Sequence, residues 1–133
     1  MDAGRGKKIY LLATPSLELE FLQAGFELVE DEKPDWVVLG FDRTLTYEKI
    51  AFASRCLLQG VPFVATHPDL VCPTEDLPIP DTGAMIKMFE AATKVSPKVI
   101  GKPNREMVEA ALDRLKAKPE ETAMVGDRYY TDM

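Results

Sequence analysis

The sequence predicts an α/β fold, and two observations carry the prediction. Short apolar runs rich in β-branched residues alternate with segments of helical periodicity, and glycine or proline punctuates most of the changes between them. A third observation sets the size: 133 residues at 46% hydrophobic can hold one ordinary domain with a real core, or one domain and a fragment of another.

Ile9 to Ala13 reads as a buried strand, and Thr14-Pro15 supplies an N-cap followed by proline at the first helical position, with Gly25 placed to end that helix. Phe26 to Val29 and Trp36 to Gly40 have strand character, separated by a turn over Asp31 to Asp35. From about Thr46, Ile50, Ala53, Leu57 and Leu58 recur at helical spacing, and Gly60 closes the helix before the apolar run Val61 to Ala65. Between His67 and Asp81 stand Pro68, Pro73, Pro78 and Pro80, a long irregular stretch of the kind that compact domains keep mainly for function. A helix over Thr82 to Lys94 follows, then a strand at Lys98 to Ile100. The next helix, Asn104 to Lys116, places Met107, Val108, Ala111, Leu112 and Leu115 on one face, and Thr122 to Val125 reads as the last strand.

Charge and composition narrow the function classes. A net charge of -6, from 22 acidic and 16 basic residues, opposes the positive field that a phosphodiester backbone requires, so nucleic acid is not an expected partner. The start is polar and leads into an apolar run too short for a signal peptide or a membrane span, so no membrane partner is expected. Cys56 and Cys72 lack CxxC spacing, which argues against a thiol redox pair or a zinc cage and places the chain by default in a reducing cytoplasm. His67 is the single histidine, so any histidine-dependent triad has to pass through it.

In open α/β sheets, ligands bind beyond the carboxyl ends of strands. Two places there carry chemistry. Lys102, in Gly101-Lys102-Pro103, follows a strand and precedes a helix N-terminus, a position suited to phosphate or to an ordinary surface turn. Asp127, in Val125-Gly126-Asp127, and Asp132 put two carboxylates at the end of one strand, hard oxygen donors of the kind that magnesium takes together with substrate phosphate.

The order strand-Gly-Lys-Pro, amphipathic helix, strand-Gly-Asp-x-x-x-Thr-Asp resembles the third and fourth motifs of the haloacid dehalogenase superfamily. More narrowly, Val38 to Lys49, Ala65-Thr66-His67-Pro68-Asp69 and Val99 to Pro103 resemble its NagD-like subgroup of 4-nitrophenyl phosphate and phosphoglycolate phosphatases. The resemblance covers nearly the whole chain. It implies a C2-type α/β cap over residues 1–96, followed by part of a Rossmann-like hydrolase core over 97–133. It further implies a phosphatase for a small phosphorylated metabolite with Mg2+ as cofactor, in which an aspartate attacks phosphorus and the aspartyl phosphate is hydrolysed. Lys102 then contacts the nucleophile and phosphate, Asp127 is the metal ligand and Asp132 supports the metal site. His67, Asp69 and Lys102 are the candidate substrate-binding residues, the first two because substrate choice should come from the cap.

The sequence departs from the family pattern in its first motif, since no Asp-x-Asp-Gly occurs in it. The expectation is therefore a truncated chain without its nucleophile, inactive alone. Asp42, after an apolar strand, is a tempting substitute, but Thr44 stands where the acid/base aspartate belongs and the expected glycine is missing. Strands such as Lys98 to Ile100, if cut from their neighbours, expose edges that favour a homo-oligomer, unless the cap sheet accepts them. The reading from another class is a non-catalytic α/β binding or association module.

Overall fold

A computed structural model describes residues 6–101 and 105–123. Its centre is a five-stranded, all-parallel sheet in the order β2-β1-β3-β4-β7. The strands are β1 (Lys8–Leu12), β2 (Glu27–Leu28), β3 (Trp36–Leu39), β4 (Phe63–Ala65) and β7 (Lys98–Val99). Between β4 and β7 a two-stranded antiparallel ribbon, β5 (Val71–Cys72) and β6 (Ile79–Pro80), interrupts the stretch expected to be irregular. The prolines hid it, because proline lowers strand expectation except at edges and ends, where these two-residue strands place Pro80.

The strands are apolar on both faces, as parallel strands covered on two sides must be: Ile9, Leu12, Val37, Val38 and Leu39 are all buried. On one face, Tyr10, Leu12, Val37, Leu39, Phe63 and Ala65 form a core with Ala53, Cys56 and Leu57 of α2 (Tyr47–Leu58) and with Ile86 and Phe89 of α3 (Thr82–Thr93). Phe63 and Phe89 meet edge to face at 5.7 Å, and Tyr10 packs on Phe52 at 4.7 Å. Helix α1 (Pro15–Gln23) joins β1 to β2 with proline in its first turn, although Thr14 makes no side-chain cap bond. Thr46 does cap α2, accepting from the Lys49 amide, and Gly60 ends that helix region at φ 87°, a conformation that favours glycine.

Helix α4 (Arg105–Leu115) forms where the periodicity places it, but Val108 and Leu115 of its apolar stripe stay exposed. Thr122 and Ala123 are not in a strand, and the rest of the strand expected at Thr122 to Val125 lies outside the described residues. β7 pairs with β4 through Val64↔Lys98 and Ala65↔Val99. The strand at Lys98 and Val99 is thus accepted by the same sheet as β1 to β4.

Because every strand in the sheet is parallel, all five carboxyl ends lie on one rim. The strand order reverses between β1, which leads outward to β2, and β3, which leads the other way to β4 and β7. That reversal is the kind of place where open α/β sheets collect ligands.

Candidate functional site

The loop that leaves β4 carries Thr66, His67, Pro68 and Asp69, and backbone contacts on two sides fix its path. The Ile100 amide donates to the Ala65 carbonyl at 3.0 Å, and the Thr66 amide to the Leu39 carbonyl at 3.0 Å. Gly101 then passes so close that a Cβ there would stand 2.0 Å from the Thr66 carbonyl oxygen. On the other side Gly83, in the first turn of α3, donates its amide to the Asp69 carbonyl at 2.7 Å, and a Cβ on it would meet the Pro68 carbonyl oxygen at 2.2 Å. The loop is held between two glycines whose missing side chains are a packing requirement, since overlap of that size forces backbone to move.

Within that clamp His67 uses both ring nitrogens. Its Nε2 lies 2.8 Å from Asp81 Oδ1 and its Nδ1 lies 2.9 Å from Thr66 Oγ1. Asp81 is the N-cap of α3, and the same Oδ1 accepts from the Thr82 amide at 2.6 Å. A carboxylate at that position is favoured by the unpaired amides and the positive end of the helix. The network assigns the neutral imidazole its proton on Nε2, donated to Asp81, with Nδ1 accepting from the Thr66 hydroxyl. One Asp69 carboxylate oxygen, Oδ1, is buried, and one ligating atom from each of His67, Asp69 and Asp81 lies within 4.8 Å of the others. The Thr82 hydroxyl is buried with no hydrogen-bond partner among the described residues.

The structure therefore brings the two expected cap residues, His67 and Asp69, together and adds Asp81, at the end of the proline-rich stretch. A signal for Asp81 was present: aspartate directly before Thr82-Gly83 and an apolar-periodic segment is an N-cap signature. Lys102, Asp127 and Asp132 lie outside the described residues.

Asp42 stands on the same rim, after β3, and its environment is structural. Its side chain is fully buried; Oδ1 accepts from the Thr44 amide at 2.8 Å and the Thr44 hydroxyl at 2.7 Å, and Oδ2 pairs with Lys49 Nζ at 3.2 Å. This is an Asx-type turn that ties the β3–α2 connection to the first turn of α2. A carboxylate with both oxygens engaged and no solvent access is poorly placed to attack phosphorus, so the substitute nucleophile is not supported.

Burial pushes the Cys56 thiol up, with smaller opposing effects from Arg55 and Lys33, and pushes the Tyr10 phenol up, helped by Cys56, Asp42 and Glu30. Neither belongs to the His67 cluster. Among the described residues no helix is long and apolar enough to cross a membrane.

Known proteins resemble the chain in sequence and in fold. The chain is 38% identical over 128 residues to an acid sugar phosphatase of Staphylococcus aureus, covering 96% of this chain and 49% of that protein. A 4-nitrophenylphosphatase from Thermotoga maritima superposes with a TM-score of 0.89 at 43% identity, over 96% of this chain and 49% of that one. The glycerol phosphate phosphatase of Mycobacterium tuberculosis, solved in complex with magnesium, superposes with a TM-score of 0.89 at 30% identity, over 98% of this chain and 40% of that one. The chain thus spans about half the length of the curated relatives it matches. The family model described as haloacid dehalogenase-like hydrolase matches residues 3–133, and the chain belongs to that family.

Proposed function

We propose that the whole protein is a magnesium-dependent phosphomonoester hydrolase for a small phosphorylated metabolite, with residues 1–96 as its substrate-covering cap and 97–133 as part of its catalytic core. The observation that carries this reading is the family match over residues 3–133. Relatives whose names specify sugar phosphate, nitrophenyl phosphate and glycerol phosphate support the substrate class.

Asp127 and Asp132 offer the oxygen donors that magnesium takes, so the donor set fits the ion, which when bound neutralises phosphoryl oxygens. Lys102 adds a fixed positive charge for the phosphate and for the attacking carboxylate. Asp69 would repel phosphate and is better suited to accept from hydroxyl groups of the metabolite. His67, with both nitrogens engaged, contributes by holding that loop in place. The protein works in the cytoplasm, and exposed Leu70, Val71 and Leu77 around the β5–β6 ribbon support association into a homo-oligomer.

The test is phosphate release by the full-length gene product, from sugar phosphates and 4-nitrophenyl phosphate, with and without magnesium. Turnover that needs magnesium and falls by about a hundredfold or more in Lys102→Ala and in Asp127→Asn is the expected result. A folded full-length protein with no turnover on any phosphomonoester would instead favour the non-catalytic α/β association module. That second reading is motivated by the lack of an Asp-x-Asp-Gly motif in these 133 residues.

A further inference from the structure

We propose that His67, Asp69 and Asp81 form a second cation site, for a divalent transition metal of the zinc class, built on donors other than Asp127 and Asp132. Their ligating atoms lie within 4.8 Å of one another and come from the loop after β4 and from the N-cap of α3. At metal–ligand lengths of about 2.1 Å, the donors of a tetrahedral zinc-class site stand about 3.4 Å apart. The 2.8 Å between His67 Nε2 and Asp81 Oδ1 is within about 0.6 Å of that edge. The widest spacing, at most 4.8 Å, needs to contract by about 1.4 Å, which rotation of a carboxylate about its side-chain torsions can supply. One imidazole nitrogen with two carboxylates suits manganese through zinc; magnesium, which prefers oxygen and water, is disfavoured.

The surroundings supply what such a site needs. Gly83 and Gly101 hold the loop between α3 and the end of β7, so the donors are preorganised. His67 retains 30% side-chain exposure, which leaves an entry path. Ligation through Nε2 requires the proton there to move to Nδ1. Thr66 Oγ1, 2.9 Å away, then turns from donor to acceptor, so the tautomer changes without net proton release and Nδ1 keeps its partner. The positive end of α3 opposes a cation, a small effect beside two carboxylates. Three protein donors leave open positions that water or metabolite hydroxyls can fill. The site stands independently of the phosphatase reading.

The chain, freed of any polyhistidine tag, is titrated with Co2+ by visible absorption and with Mn2+ by proton NMR. Because His67 is the single histidine, its ring protons report alone. Expected are selective Mn2+ broadening of those protons at substoichiometric metal and a Co2+ band displaced by Zn2+ but not by a hundredfold excess of Mg2+. His67→Ala and Asp69→Asn should each weaken Co2+ binding at least tenfold while thermal unfolding shows both variants folded; Asp127→Asn should leave the band in place. The proposal is overturned if Co2+ binds equally to a folded His67→Ala chain. It is equally overturned if Mn2+ leaves the His67 ring protons sharp in the unmutated chain, a result that needs no variant at all.

Discussion

Replacing Asp42 tests whether the rim after β3 is scaffold or chemistry. In Asp42→Ala the Thr44 amide and hydroxyl lose a charged acceptor, and Lys49 loses its carboxylate while keeping its bond to Thr44 Oγ1 at 3.1 Å. Hydrogen bonds to charged groups contribute about 1.5–3 kcal/mol each, but they share one acceptor oxygen and do not add fully. Lys49 is 35% exposed and regains water when the carboxylate goes, so its share belongs with surface pairs at about 0–1 kcal/mol. The sum is about 3 kcal/mol, which for a chain of this length lowers Tm by about 10 °C. Asp42→Asn keeps an oxygen for Thr44 but turns neutral toward Lys49, and should lose about 1–2 kcal/mol. Urea unfolding followed by circular dichroism measures both. Asp42→Ala within about 0.5 kcal/mol of the unmutated chain would refute the structural assignment. Aryl phosphate turnover by the chain, abolished in Asp42→Asn, would make the residue a nucleophile after all.

Gly83→Ala should destabilise the chain by about 2–3 kcal/mol, because the new methyl overlaps the Pro68 carbonyl and pushes the His67 loop off α3; urea unfolding and the His67 ring resonances would both register it, and an unchanged pair of readouts would contradict the clamp. Thiol titration with a disulfide reagent near pH 8 should modify Cys72 fast and Cys56 only at the rate of chain opening, since Cys56 is buried and its thiol is held protonated; two fast thiols would mean that α2 does not seal it. The Cys56 and Tyr10 groups lie above their ordinary values of 9.0 and 10.0, so on alkalinisation the unfolded chain loses those protons first and binds fewer than the folded chain. Stability should therefore be unaffected by these two groups below about pH 9 and fall above it, and Cys56→Ala should flatten the first part of that fall in denaturation curves taken from pH 8 to 10.5. Light scattering after size exclusion should show self-association that weakens on dilution and is reduced by Leu77→Ser, since Leu77 is 75% exposed on the β5–β6 connection; a compact monomer at every concentration would remove the homo-oligomer proposal.

Local signals in the sequence settle much of the fold. Pro15, Gly25, Thr46 and Gly60 act through φ, ψ and nearby amides, so the ends of α1 and α2 follow from residues within a few positions of each other. The apolar runs of β1, β3 and β4 read as buried strands because both of their faces are covered. The family, too, was legible from three short motifs in the right order. Strand order was not: nothing near Lys98 says that it pairs with Val64, 34 positions earlier, and only the assembled sheet puts β7 beside β4. The same holds for the β5–β6 ribbon, where two-residue strands among prolines leave no periodicity to read. Within the candidate site, His67 and Asp69 were expected only through the family resemblance, as cap residues, whereas the bond from His67 to Asp81, and the need for glycine at 83 and 101, arise from backbones that approach only after folding. Asp42 shows the converse, a residue whose place after a strand suggests chemistry until the folded chain buries its carboxylate against Thr44 and Lys49. Periodicity and caps are short-range properties carried by the sequence itself; which distant polar atoms meet, and which are sealed from water, is decided by packing.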